Sequence, residues 1–213
     1  MSNIGIQQFA HYGVATVYEA AGRTGLIDVP LFQIIPGSRV AGPARTVQCG
    51  QGDNLMVHAV LDQVQPGEVL VLTMPEPAPV ALVGDLLATQ ALVHKVAAVL
   101  IDAAVRDTEE LQAIGLPVWA RWIRVRGATK TIVGVINQPV IVGGATIAPG
   151  DIVLLDADGA VVVAAGEAEQ VLQAAQAREA REASLRSKLQ QGQLSYDLHG
   201  LRALVEHKSV ERH

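Results

Sequence analysis

Aromatic side chains are nearly missing from this chain: Phe, Trp and Tyr make up 3% of its 213 residues, while 50% of all residues are hydrophobic. A core built without them must come from Ala, Val, Leu and Ile, side chains small enough to let helices pack closely on a sheet. Cysteine occurs once, as Cys49, which excludes an intramolecular disulfide and any cysteine-rich zinc site. At the end of an apolar strand it reads as a small buried hydrophobe. No run of Lys or Arg is present to track a phosphate backbone, and 16 basic against 21 acidic residues leave a net charge of −5, so nucleic acid is not expected as a partner. No apolar segment approaches the ~20 residues that cross a bilayer, and "MSNIGIQQFAHYG" lacks the basic start and apolar stretch of a signal peptide. The expectation is a cytoplasmic protein with no membrane partner. Its length suits one compact α/β domain over residues 1–213, with 20 Gly and 10 Pro marking many tight turns.

Apolar residues recur at helical spacing in "IQQFAHYGVATVYEAAGR", which predicts one N-terminal helix ending near Gly22. "SRVAGPARTVQC" predicts a strand kinked at Gly42-Pro43, and "GDNLMVHAVLDQVQPGE" a helix capped by Asp53 and stopped by Pro66-Gly67. Strand "EVLVLTM", a helix over 84–95, strand "VAAVLID", a short helix from about Asp107 to Ile114 and "LPVWARWIRVR" continue the strand and helix alternation to about residue 120. From there "TIVGVINQPVIVGGATIAPGDIVLLDADGAVVVAA" changes to short β-rich runs broken by Gly, Pro and Asp, the pattern of hairpins. Residues 164–213 read as a C-terminal helical extension: a long helix in "GEAEQVLQAAQAREAREASLRSKLQQG" whose apolar face gives way to charge after Arg178, then one short helix in "YDLHGLRALVEH". Such a half-polar helix either projects or lies on a neighbouring subunit.

The sequence "GDLLATQALVHKVAAVLIDAAVRD" places Asp85, Asp102, Arg106 and Asp107 around two apolar runs. If both strands belong to one parallel sheet, Gly84-Asp85 and Arg106-Asp107 fall at their carboxyl ends, the edge where α/β sheets bind ligands. Gly84 allows a ligand close to the backbone, and the amides of Leu86 and Leu87, unpaired in a first helical turn, can hold a carboxylate. Arg106 adds a planar bidentate donor. Asp107 supplies a hard oxygen that, with water and substrate, would hold Mg²⁺ or Mn²⁺. Plainer roles stay open from the residues alone: Asp85 and Asp107 as helix caps, Arg106 paired with Glu110, Asp102 as a turn residue at a strand end. Among His11, His58, His94 and His199 no pair has metal-ligand spacing, so all read as packed or surface residues. "GGATIAPGD" reads as a β-turn, since no Lys follows its glycines as a phosphate loop requires. Lys95 lies well along its helix, which argues against Schiff-base chemistry. Arg121, Arg124 and Lys130 read as surface charges, with contact to an extra substrate carboxylate as the alternative.

The pair "GDLLATQA" and "LIDAAVRDTEEL" resembles the signature of the class II pyruvate aldolases of the RraA-like family, which act on 4-hydroxy-4-methyl-2-oxoglutarate and 4-carboxy-4-hydroxy-2-oxoadipate. The resemblance continues through "YGVATVYEAAGR", "GDNLMVHAVLDQVQPGEVLVL", "IAPGDIVLLDADGAVVV" and "AREAREASLRSKL", nearly the whole chain. It implies an α/β/β sandwich of the swivelling β/β/α type with a long C-terminal helix, assembled as a homotrimer or a hexamer of paired trimers. It implies that Asp107 binds Mg²⁺ or Mn²⁺, and that Arg106 holds the pyruvate moiety and stabilises its enolate. Gly84, Asp85, Leu86 and Leu87 match the loop that binds the substrate carboxylate through backbone amides and positions a water through its aspartate. Glu19 and Glu182 resemble acidic residues that a neighbouring subunit brings near the metal; helix periodicity alone makes both surface charges.

The activity so implied is metal-dependent retro-aldol cleavage, a carbon–carbon lyase reaction that releases pyruvate and a second keto acid, with oxaloacetate decarboxylation as a side activity. Breakdown of aromatic compounds is the implied setting. Two alternatives use the same fold: a dedicated oxaloacetate or keto-acid decarboxylase, and a non-catalytic RraA-type regulator of ribonuclease E. A pure interaction module has no physical need of a metal carboxylate beside an anion clamp. No glycine-rich nucleotide turn follows the first strand, which disfavours a methyltransferase.

Overall fold

The computed structural model describes residues 3–210, with side chains described for residues 5–206. Residues 1–2 and 211–213, the two ends of the domain expected over 1–213 and the start of the stretch read as lacking a signal peptide, lie outside the described residues. Helices α1 (Asn3–Tyr12) and α2 (Val14–Ala20) lead to strands β1 (Phe32–Gln33) and β2 (Val40–Gln48). Helix α3 (Leu55–Val60), strands β3 (Val69–Thr73) and β4 (Ala81–Val83), helix α4 (Asp85–Val93), strand β5 (Ala98–Val105), helix α5 (Thr108–Ile114) and strand β6 (Val118–Ile123) come next. Strands β7 (Val135–Ile136), β8 (Val140–Val142), β9 (Ala145–Ile147), β10 (Ile152–Asp156) and β11 (Gly159–Val163) follow, and helices α6 (Ala168–Gln190), α7 (Ser195–Leu198) and α8 (Leu201–Val210) close the described chain.

One curled sheet runs in the order β1-β6-β5-β3-β2-β10-β11, with β4 on β5 and β7 on β2. The expected parallel and antiparallel parts are both present, and they share β2. Its first half, Val40 to Pro43, pairs antiparallel with β10, and its second half, Ala44 to Gln48, pairs parallel with β3. The expected kink is this change of partner. Pro43 has no amide to donate at the switch, and a side chain on Gly42 would run into the carbonyl of Gly67.

Helices α3, α4 and α5 cover one face of the parallel strands around the fully buried Leu70, Leu72, Leu82, Ile101, Leu111 and Leu116. The opposite face packs through Leu100 and Trp119 against β10 and the β8–β9 hairpin. A further layer of α1, α2 and the start of α6 covers the outer side of β10 and β11. Each fully buried Leu or Ile contributes about 1.5–3 kcal/mol, so the strand ends that carry the site rest on a rigid floor. Beyond Ala175, α6 buries no side chain within the chain, in keeping with the half-polar pattern.

Four sequence expectations need correction. Helix α3 ends at Val60, before Pro66-Gly67 is reached. The N-terminal helix is two helices, because Gly13 has φ 82 and the Val14 amide donates to the buried Asp156 carboxylate at 2.8 Å. Strand β5 continues past Asp102 to Val105, and the C-terminal tail is two helices separated by Gly200 at φ 66. The turn expected in "GGATIAPGD" is present: Gly143 and Gly144, at φ 55 and 81, join β8 to β9, the backbone of a tight two-residue hairpin. Cys49 is buried as expected; burial first, and the nearby Asp53 charge second, push its thiol up to about 12.

Candidate active site

Parallel pairing of β4 with β5 sets the two strand ends side by side, and the Arg106 amide donates to the Val83 carbonyl at 3.2 Å to tie the turns together. The chain then enters α4 at Asp85 and α5 at Thr108. Asp107, between strand and helix, has φ 60 and ψ 46, a left-handed conformation that Asp tolerates better than most residues. This turn directs its carboxylate back toward α4: Oδ2 accepts the Asp85 amide at 3.3 Å and lies 3.3 Å from Arg106 Nε. A Cβ on Gly84 would collide with that same oxygen and come within 3.1 Å of Arg106 Nε. The glycine is thus required by the packing of the Arg106 and Asp107 side chains, as well as by any ligand.

The plainer roles left open for these residues are not the observed ones. Neither Asp85 nor Asp107 makes a side-chain cap on its own helix. Arg106 faces Asp107 and forms no ion pair with Glu110 among the described residues. Ala88 is the first α4 residue whose amide reaches back to Gly84, so the Leu86 and Leu87 amides are left at the helix start with the positive end of its dipole.

A cleft opens beside these turns, floored by Ala81, Leu82 and Val83 and walled by Asn54, His58, the 84–87 turn, Arg106, Gly127, Ala128 and Lys130. Arg106 separates it from a neighbouring recess lined by Asp107, Thr108 and Arg124. Asn54 is a site residue that the sequence reading missed. Its Nδ2 donates to the Leu82 carbonyl at 2.9 Å, while its buried Oδ1 has no partner among the described residues. Such an acceptor is costly to leave unpaired, and Asn54 is one of the residues that line the cleft. Asp53, read as a cap, does accept the Leu55 amide at 2.8 Å through Oδ1. Its Oδ2 also takes the Thr129 hydroxyl and the Thr131 amide at 2.6 Å each, and the Ile132 amide at 3.2 Å. Burial pushes this carboxyl up, but the Thr129, Thr131, Leu55 and Ile132 donors outweigh it and hold it well below the usual carboxylate range. His58 is shifted down by burial and then by the Lys130 charge.

The other candidates lie outside the cleft. Asp102 is buried within β5 and accepts from Arg121 on β6 at 2.9 Å, so neither is a turn or free surface charge. Burial raises the Asp102 carboxyl, and Arg121 pulls it back down. Arg124 donates to the carbonyl of Ile123. Lys95 sits past the carboxyl end of α4, away from the site. Glu19 and Glu182 are brought together on α2 and α6 rather than beside Asp107: Arg178 lies 2.7 Å from Glu182 and 3.8 Å from Glu19. Among the described residues no three His, Cys, Asp or Glu side chains cluster as a metal cage. A closed zinc site thus has no donor set among these residues; the Asp107 carboxylate is a hard oxygen that could join water and substrate oxygens around Mg²⁺ or Mn²⁺.

The family model described as RraA-like, Aldolase/RraA, matches residues 14–162. The chain belongs to the RraA-like family. A Halalkalibacterium halodurans relative named "Putative 4-hydroxy-4-methyl-2-oxoglutarate aldolase" is 38% identical over 137 residues, 64% of this chain and 65% of that protein, so the match spans just under two thirds of the relative's length. A Streptomyces coelicolor structure, described as an unusual member of the RNase ES inhibitor RraA protein family, is 27% identical with a TM-score of 0.78, covering 88% of this chain and 98% of that one. A Thermus structure described as the RNA-processing inhibitor RraA is 30% identical with a TM-score of 0.58, covering 62% and 80%. Within this RraA-like frame, the mixed sheet and the long C-terminal helix are as the sequence resemblance implied, and among the described residues no helix is long and apolar enough to cross a membrane.

Proposed function

We propose that this RraA-like protein is a metal-dependent lyase that cleaves 4-hydroxy-4-methyl-2-oxoglutarate or 4-carboxy-4-hydroxy-2-oxoadipate to pyruvate and a second keto acid, and decarboxylates oxaloacetate as a side reaction. The observation that carries the reading is the under-filled Asp107 carboxylate held between Arg106 and the amide start of α4. The substrate C1 carboxylate binds at the Leu86 and Leu87 amides, where the helix dipole favours negative charge. Asp107 would hold Mg²⁺ or Mn²⁺, which when bound supplies Lewis-acid stabilisation of an enolate. Arg106 places its guanidinium against the 2-keto oxygen and takes up the charge that develops there as the C3–C4 bond breaks. Asp85 orients the water that receives the C4 hydroxyl proton. The free Asn54 Oδ1 accepts from a substrate or water donor and holds it over the β4 floor. The resemblance of the 38% identical relative supports aldolase chemistry.

The assembly proposed with this activity is a homotrimer or a dimer of trimers. Arg178 already holds Glu19 and Glu182 together on one surface, so a neighbour could present both to the metal at once. A second reading, a non-catalytic regulator of an RNA-processing enzyme, draws on the names of the Thermus and Streptomyces relatives. The test is pyruvate release from 4-hydroxy-4-methyl-2-oxoglutarate and, separately, from oxaloacetate, with Mg²⁺ or chelator. Metal-dependent release from the first supports the aldolase. Release from oxaloacetate alone makes the protein a decarboxylase, and release from neither favours the regulator.

A further inference from the structure

Strand β5 changes partner part-way along its length. Leu72 of β3 pairs with Ile101, and from Ala104 onward β4 takes over, through Ala81 and Val83. On the other side of β5 the register slips at the same place: Ile101 pairs with Ala120 of β6 and Ala104 with Trp122, so Asp102 and Ala103 stand opposite the single Arg121. This is a β-bulge, which bends a strand and re-aims the residues beyond it. Asp102 and Arg121 close it with an ion pair of 2.9 Å. The Arg121 guanidinium also lies over the Trp122 ring, 4.9 Å from its centroid, so Asp102 on one strand and Trp122 on the other fix its place.

The place of this pair matters more than its energy. The Asp102 side chain is 4% exposed and that of Arg121 26%, and a buried ion pair is often no more stabilising than apolar side chains of similar volume. Only Ala103, Ala104 and Val105, all wholly buried, separate it from Arg106. A close-packed stretch of this kind has no slack to absorb a shift at the bulge. Hydrogen bonds from the Ala104 amide to the Val80 carbonyl at 3.0 Å, and from the Arg106 amide to the Val83 carbonyl at 3.2 Å, then set the strand end against the Gly84 turn. We infer that Asp102 and Arg121 are positioning residues: their pair fixes the bulge in β5, and the bulge places the Arg106 guanidinium where the enolate charge develops. This rests on the retro-aldol reading above. Neither side chain lines the cleft, so the pair acts on the reaction through Arg106.

The test replaces the pair by apolar side chains, Asp102→Leu with Arg121→Met, and measures pyruvate release from 4-hydroxy-4-methyl-2-oxoglutarate with Mg²⁺ beside thermal melting. The double variant should lower kcat about 10- to 100-fold, the scale of a misplaced catalytic group, and change KM by no more than about threefold. Its melting temperature should stay within ~5 °C of wild type. Asp102→Asn, which keeps an acceptor for Arg121 in the same space, should retain most of kcat. In an Arg106→Lys background the double change should cost no more than about threefold further, because the group it positions is already gone. A kcat within about twofold of wild type, or equal fold-losses in the two backgrounds, would overturn the inference. So would a double variant that melts more than about 10 °C below wild type, the mark of a merely structural pair. All of these leave the retro-aldol reading standing, whereas a wild type that releases no pyruvate overturns that reading and the inference with it.

Discussion

Two aspartates open two helices in this chain, and their surroundings treat them oppositely. Asp53, before α3, is wholly buried and accepts from Leu55, Thr129, Thr131 and Ile132. Asp107, before α5, keeps a side chain 32% exposed and, among the described residues, has only the Asp85 amide and Arg106 as side-chain partners, both at 3.3 Å. A saturated carboxylate has no capacity left and holds structure. An under-filled one, kept in a left-handed turn by a floor of buried strands, retains capacity for a ligand.

The largest expected break in this comparison is at Asp107. Asp107→Asn keeps the size and the tolerance of φ 60 but removes the charge, and should lower metal-dependent kcat/KM about a thousandfold, since a Lewis acid is worth several kcal/mol. Thermal melting should barely move. Gly84→Ala comes next: its Cβ collides with Asp107 Oδ2 and displaces the Arg106 and Asp107 side chains, so activity should fall about 10- to 100-fold with the fold retained, the scale of a misplaced catalytic group. Steady-state kinetics beside circular dichroism would check both.

Asp53→Asn should reverse the pattern, with a melting temperature lowered by ~5 °C or more and a loss of activity of only severalfold. The pH dependence sharpens the contrast. Because the folded Asp53 carboxyl lies below its ordinary value, its stabilisation is fully present above the unfolded pKa of about 4 and is lost as pH falls through the folded value. Melting curves taken from neutral pH into acid should therefore fall more steeply for wild type than for Asp53→Asn; parallel curves would remove Asp53 from the account.

The part of the site read directly from sequence is the part made by local chain direction. Gly84 to Leu87 and Arg106-Asp107 each sit where a strand hands over to a helix, and pairing of β4 with β5 does the rest. Asn54 was not legible as a site residue, and Lys130 only as an alternative to a surface charge, because tertiary contacts bring them there: a hydrogen bond to the Leu82 carbonyl for one, the Asp53 clamp on the 129–132 segment for the other. Strand β5 was read three residues short because Asp102 looks like a strand end until Arg121 of β6 pairs with it. The split of the N-terminal helix at Gly13 likewise depends on Asp156, distant in sequence. Hydrophobic patterning carried the layers, and buried polar partners, which leave no periodic trace, decided the exceptions.

The most direct test of the central claim is exchange of the pyruvate methyl protons in D₂O, followed by proton NMR with Mg²⁺ or with chelator. Pyruvate occupies only the keto-acid end, so the readout isolates enolate formation at Asp107 and Arg106 from every question of substrate specificity. Metal-dependent exchange that is lost in Asp107→Asn is the predicted result. Absence of exchange with metal present, or equal exchange under chelator, would contradict the account.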